Sequence, residues 1–287
     1  MNQLLCKLLS ASKPSEKLKA LNQHPSVVQV LEDKPHLFDG LTQEEELTLK
    51  KLIAIGQWEH VVGISSDIDQ IALRDLLKKL LSVDTFYHEL GGIVGYQEKV
   101  TGFLKGSVDE KASEVIAFHP PSFIDIGEET EAVQEATLSG IRALSQVAEF
   151  YPLGGAADRL HLVDEETGLE LPAAKLSYAG KTLLEGLIQD LAAREYLHFK
   201  LFDQQVEVPI VMMTSLEKNN HSHVLAICEA MNWFGREKKN FRIFTQPLVP
   251  AVDQEGNWCL LGPLSPLLKP GGHGALWKLA YDKGVFT

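Results

Sequence analysis

Around Val147 the chain changes its hydrophobic rhythm, and that change limits the folds open to it. Before it, apolar residues recur at helical spacing. In IDQIALRDLLKKLLSV, charges separate Ile68, Ile71, Leu73, Leu76, Leu77, Leu80 and Leu81, as one apolar face of a helix requires. LTQEEELTLKKLIAIGQW opens on Thr42 ahead of three acids and carries its lysines later, an order that suits the helix dipole. VDTFYHELGGIVGYQEKVTGFLK reads as helical with a kink at Gly91-Gly92. HPPSFIDIGEET, from His119 to Thr130, is a proline-led connector, and a further amphipathic helix spans about Glu131 to Ser145. Beyond Val147, short apolar runs alternate with helical patterns: VAEFYPL, KTLLEGLIQDLAAREYL, VPIVMMT, HVLAICEAMNWF, FRIF and LLGPLSPLLK. Strand–helix–strand alternation predicts an α/β layer with a mostly parallel sheet. Two domains are expected, a helical one over 1–145 and an α/β one over 146–287. Thr182 and Glu185 stand at capping-box spacing ahead of a stripe of Leu183, Leu184, Leu187, Ile188 and Leu191, which marks a helix start.

Composition narrows the functions. A formal net charge of −12 argues against nucleic acid or a nonspecific polyphosphate as partner, since both need a basic face. A local anion site stays open, because a few backbone amides and one cationic side chain suffice. Cys6, Cys228 and Cys259 are far apart and form no CxxC, which suggests neither a disulfide framework nor a zinc knuckle and fits a reducing compartment. The N-terminal MNQLLCKLLSASKPSEK is too short and interrupted in its apolar run for a signal or membrane segment. A soluble, cytoplasmic protein without a membrane partner is expected.

In an open α/β sheet, ligands sit beyond the carboxyl ends of the strands. Four loops fall there: GGAADR, TSLEKNNH, TQPLVPA and KPGGHGAL. Gly154-Gly155 either makes a tight turn or brings backbone N–H groups up to a phosphate, with Arg159 as a clamp. Lys175, in LPAAK, either reaches the same anion or is an exposed lysine. In KPGGHG a tight turn sets His273 at the head of ALWKLAYDK, to hydrogen-bond a base or sugar or to serve as a structural cap. Gln246 carries an amide donor and acceptor and could read a pyrimidine edge. His221 and His223 form HxH without a third ligand nearby, so zinc is not expected. Trp233 and Phe234 are expected to close the core under their helix.

PLGGAADRL, LPAAKL, GKTLLE, VMMTS, FRIFTQPLVPAV and KPGGHGALWKL follow one another in this order. Together they resemble the nucleotide-binding half of the UDP-sugar pyrophosphorylases, especially the long plastid-type branch of UDP-glucose pyrophosphorylase. The resemblance runs from about Val147 to the end and implies a partial Rossmann-like, GT-A-type nucleotidyltransferase domain. It implies UTP and a sugar 1-phosphate as partners, with Mg²⁺ as cofactor. Arg159 and Lys175 would neutralise the triphosphate, while the backbone of Gly154 and Gly155 would lie against the uridine and phosphates. Gln246 and the backbone of Gly272 would read uracil, and His273 would sit near the nucleotide or sugar. Thr214, Ser215 and Asn219 would line the path to the sugar. Ala157 and Asp158 stand where the family commonly has Gly and Thr; the acid would touch Mg²⁺, pair with Arg159 or face away. YDKGVFT follows the last segment directly, so the family's downstream metal-binding Asp and the rest of its sugar site are expected to be missing, and this part alone is not expected to turn over. The competing expectation is a non-catalytic relative that binds nucleotide or a protein.

Overall fold

The computed structural model describes residues 2–63, 68–109, 119, 121–155 and 160–286. In chain order its α-helices are α1 (Asn2–Ser10), α2 (Pro14–Leu21), α3 (Pro25–Asp33), α4 (Gln43–Ala54), α5 (Trp58–Val62), α6 (Gln70–Phe86), α7 (Ile93–Asp109), α8 (Glu131–Arg142), α9 (Leu183–Phe202), α10 (Asn220–Ala230) and α11 (Ala275–Asp282). The strands are β1 (Glu149–Pro152), β2 (Ser177–Tyr178), β3 (Lys181–Thr182), β4 (Ile210–Thr214), β5 (Phe241–Thr245), β6 (Leu248–Pro250), β7 (Leu260–Gly262), β8 (Ser265–Pro266) and β9 (Leu268–Pro270). The chain divides into two compact units, Met1–Val115 with Pro247–Lys269, and Ile116–Gln246 with Pro270–Thr287. Both chain segments therefore depart from a single boundary near 145.

In the helical unit, α4 starts on the expected signal. Glu45 N donates to Thr42 Oγ1 at 3.2 Å, and Thr42 N donates to Glu45 Oε2 at 2.8 Å. Along α6, Leu73, Leu76, Leu77, Leu80 and Val83 are buried, whereas Ile71 is 82% exposed. Ile71 thus falls off the buried stripe, while Ile68, just ahead of the helix, packs against the same core. The helical run over Gly91-Gly92 is two helices, with α6 ending at Phe86 and α7 starting at Ile93. Asp84 explains the break. Its carboxylate turns inward, accepts from Lys51 Nζ at 2.8 and 2.5 Å, and accepts from Ile93 N at 2.9 Å. Gly92 has φ of +72°, and a Cβ there would stand 1.9 Å from Asp84 Oδ1, so an ordinary helical residue is excluded.

The segment 247–269 packs into this unit rather than extending the parallel sheet. LLGPLSPLLK forms two-stranded pairings instead, β7 with β8 antiparallel and β6 with β9. Pro263 and Pro266 within the run cannot donate to a longer ladder. Trp258 is fully buried; its backbone N donates to Gln57 Oε1 at 3.0 Å and its indole N–H to Gln97 Oε1 at 2.9 Å. Both glutamines then donate Nε2 to the Gly256 carbonyl, at 3.1 and 2.8 Å. Tyr96 donates to the Pro250 carbonyl at 2.7 Å, and burial pushes its phenol up to about 12, so the hydroxyl keeps its proton.

The α/β unit is built on a parallel three-stranded sheet in the order β1-β4-β5. All five residues of central β4 are buried, which is why VPIVMMT reads as a continuous apolar run. Leu184, Ile188 and Leu191 of α9, with Val224 and Cys228 of α10, join β4 in one core, against which Trp233 and Phe234 also pack. The α9 capping box is formed: Glu185 N donates to Thr182 Oγ1 at 3.2 Å and Thr182 N to Glu185 Oε2 at 2.6 Å. The Thr182 backbone N–H, then its side chain, hold the Glu185 carboxyl below the ordinary glutamate value. Thr182→Ala is expected to cost about 1 kcal/mol at neutral pH. Because the folded-state pKa is depressed, the box contributes in full above about pH 4.5 and fades as pH falls through the lower folded value. Urea unfolding of both proteins at pH 7 and pH 3 checks this; the difference between them should shrink at pH 3.

Candidate functional site

The three strands of the sheet deliver their carboxyl ends side by side, and the loops that leave them carry most of the residues singled out in the sequence. β1 stops at Pro152, which has no N–H to continue the ladder. Two residues on, Gly154 lies against the ends of β4 and β5. A Cβ on Gly154 would stand 2.4 Å from Gln246 Nε2 and 3.0 Å from both C and O of Thr214. Glycine at 154 is therefore required by close packing of backbone on backbone, independent of φ. The Gly154 carbonyl accepts from Gln246 Nε2 at 2.7 Å.

Gln246 follows β5 and is 3% exposed. Its backbone N donates to the Thr214 carbonyl at 2.8 Å, locking the end of β5 to the end of β4. Its Oε1 is buried and has no hydrogen-bond partner among the described residues. A buried amide with one end bound and the other open is an incomplete polar site. Thr214 and Ser215, at the end of β4, are both fully buried. Thr214 Oγ1 shares a 2.8 Å hydrogen bond with His221 Nδ1 and donates to the Phe244 carbonyl at 3.2 Å. Ser215 is fixed through its backbone, and its Oγ is buried without a partner among the described residues. Its N donates to Asn220 Oδ1 at 2.9 Å, and its carbonyl accepts from His221 N at 2.9 Å.

Asn219 is exposed, has φ of +51° and makes no side-chain cap on α10. The inward asparagine is its neighbour Asn220, 1% exposed, whose Nδ2 donates to the Leu153 carbonyl at 2.9 Å. Sequence reading passed over it. An adjacent pair of asparagines carries no periodicity to separate them, and the left-handed backbone at Asn219 decides which one turns in.

The PGGHG turn belongs to the same unit. Gly272 has φ of +97°, a conformation that favours glycine, and its carbonyl accepts from Ala275 N at 3.1 Å. His273 precedes α11 and is exposed; its Nε2 lies 3.6 Å from where a Cβ on Gly155 would stand. The first and last of the six ordered segments thus meet. Lys175 ends a short 3₁₀ turn, Ala173–Lys175, and is partly buried. Burial first, then the Lys175 charge, lowers the pKa of His223. Arg159, Asp158 and Ala157 lie outside the described residues.

No protein-family model matches the chain. A curated relative, UTP–glucose-1-phosphate uridylyltransferase 3, chloroplastic, from Arabidopsis thaliana, is 49% identical over 240 residues, covering 79% of this chain and 27% of the relative. The chain thus spans just over a quarter of that relative's length. Among solved structures, the uridine diphosphate N-acetylglucosamine pyrophosphorylase of Trypanosoma brucei in complex with inhibitor superposes with a TM-score of 0.57 at 18% identity. That match covers 83% of this chain and 45% of the solved one, and it shows the nucleotidyltransferase fold. The chain is therefore similar over 240 residues to part of a UTP–glucose-1-phosphate uridylyltransferase and shares the fold of a uridine diphosphate N-acetylglucosamine pyrophosphorylase.

Proposed function

We propose that the chain is the nucleotide-binding part of a UTP-dependent uridylyltransferase that makes UDP-glucose, or a related UDP-sugar, and pyrophosphate from a sugar 1-phosphate. The observation that carries this reading is Gln246. Its Nε2 is committed to the Gly154 carbonyl, so the open function is the acceptor Oε1. Uracil presents a donor there, its N3–H. Cytosine N3 and adenine N1 are acceptors and would meet Oε1 with repulsion. A buried acceptor left unpaired costs about 1–3 kcal/mol, which uracil would recover.

In the reaction, an oxygen of the sugar 1-phosphate attacks the α-phosphorus of UTP. The bond from that phosphorus to the oxygen bridging to the β-phosphate breaks, and pyrophosphate leaves with the electron pair. The protein's work is positioning and charge neutralisation. In this reading the Gly154 and Gly155 backbone lies against the uridine and phosphates, and Lys175 and Arg159 offset phosphate charge. Gly272 adds a backbone contact to uracil beside His273, and Thr214, Ser215 and Asn219 face the sugar side. Mg²⁺ is the divalent ion of this reading. Among the described residues, no group of three or more His, Cys, Asp or Glu side chains is placed to hold a metal.

Calorimetric titration of the full chain with UTP, CTP and ATP tests the reading. UTP should bind most tightly, and Gln246→Ala should cut the preference for UTP over CTP about tenfold, the value of one buried hydrogen bond. Equal affinity of the unmodified chain for the three nucleotides would overturn it.

A further inference from the structure

We infer that Asn220 is a positioning residue of the glycine loop, one that sets the direction in which the Gly154 N–H faces the nucleotide. This rests on the nucleotide-binding role proposed above for that loop. In a trans peptide the C=O of one residue and the N–H of the next point in opposite directions across a rigid plane. No cis peptide bond occurs among the described residues. Whatever holds the Leu153 carbonyl therefore also aims the Gly154 N–H, and whatever holds the Gly154 carbonyl aims the Gly155 N–H.

Two side-chain amides occupy these two positions. Asn220 Nδ2 holds the Leu153 carbonyl at 2.9 Å and Gln246 Nε2 holds the Gly154 carbonyl at 2.7 Å. The sheet cannot do this work itself, because the β1 ladder ends with Pro152 opposite Met213. Asn220 is suited to the task because its other end is fixed. Its Oδ1 accepts from Ser215 N at 2.9 Å, directly after β4. Ser215 in turn is tied to α10 through His221 N. The Leu153–Gly154 peptide plane is thus referenced to the central strand through one buried side chain, with both ends of the amide used. Gln246 touches the nucleotide in the reading above; Asn220 acts only through the loop.

Hydrogen exchange and UTP titration of the full chain test this together. Asn220→Asp keeps the acceptor for Ser215 N but replaces the donor that faces the Leu153 carbonyl. It should raise exchange at the Gly154 amide, whose direction Asn220 sets, about tenfold, the loss of one hydrogen bond. β4 should stay protected, and UTP affinity should fall by a similar factor. Val224→Ala, a buried change on the same helix, serves as the control for general loosening. The inference is overturned if Asn220→Asp leaves exchange at Gly154 unchanged, or if Val224→Ala raises it equally. Exchange that responds as expected in a chain that binds no UTP would remove the uridine reading and leave the hold of Asn220 on the loop standing.

Discussion

Gly154→Ala should abolish uridine-nucleotide binding and destabilise the α/β unit by about 2 kcal/mol, the usual range for overfilling a packed site. The added methyl would stand 2.4 Å from Gln246 Nε2 and 3.0 Å from the Thr214 carbonyl group. Neither can yield cheaply. The Thr214 backbone accepts from Gln246 N, and the Gln246 amide is buried and bonded to Gly154 itself. Making room would expel the amide, losing both its hydrogen bond and the acceptor proposed for uracil. Gly155→Ala provides the contrast, since its methyl would lie 3.6 Å from His273 Nε2, an ordinary contact. That variant should melt within the error of the unmodified chain. Thermal unfolding and UTP titration of the two variants decide the matter. A Gly154→Ala protein that melts normally and binds UTP normally would show that the close approach is not a requirement.

A second large effect is expected far along the sequence from this site. Asp84→Ala should cost about 3–5 kcal/mol, because it leaves a buried ammonium without its partner. Lys51 and Asp84 are only 3% and 9% exposed, and Asp84 also serves the Ile93 N–H. Burial already outweighs the attraction of Asp84 and lowers the pKa of Lys51. Exchanging both residues for apolar ones, Lys51→Met with Asp84→Leu, should recover most of the loss, since the pair's attraction roughly offsets its desolvation. Chemical unfolding of the single and double variants reads the coupling directly. Equal stability of Asp84→Ala and the unmodified chain would mean that the carboxylate contributes nothing to the break between α6 and α7.

The features legible in the sequence were local ones. Thr182 and Glu185 announce a cap because the reciprocal hydrogen bonds span three residues. VPIVMMT announces a buried strand because both of its faces are covered. The glycine pair, Gln246 and His273 were legible as an ordered set of segments, and the fold brings Gly154 against Gln246 and Gly155 towards His273. Long-range partners were not legible. Nothing near Trp258 in sequence reveals that Gln57 and Gln97 hold it, so its segment reads as part of the sheet. Gly91-Gly92 reads as a kink, and only Asp84, folded back from α6, shows why it is a full break. Ile71 fits a helical stripe on paper, yet the stripe's edge is set by what packs on α6.

The clasp around Trp258 also bears on how this protein can be dissected. The helical unit is written in two pieces, with the chain leaving it after Val115 and returning for Pro247–Lys269. A cut near residue 146 would not yield two folding fragments. The downstream piece would carry Trp258 away from both glutamines, and the upstream piece would keep two buried amides with no indole to satisfy. The helical region is thus no detachable leader: any recombination, gene fusion or expression strategy that treats it as one would open a core in each half.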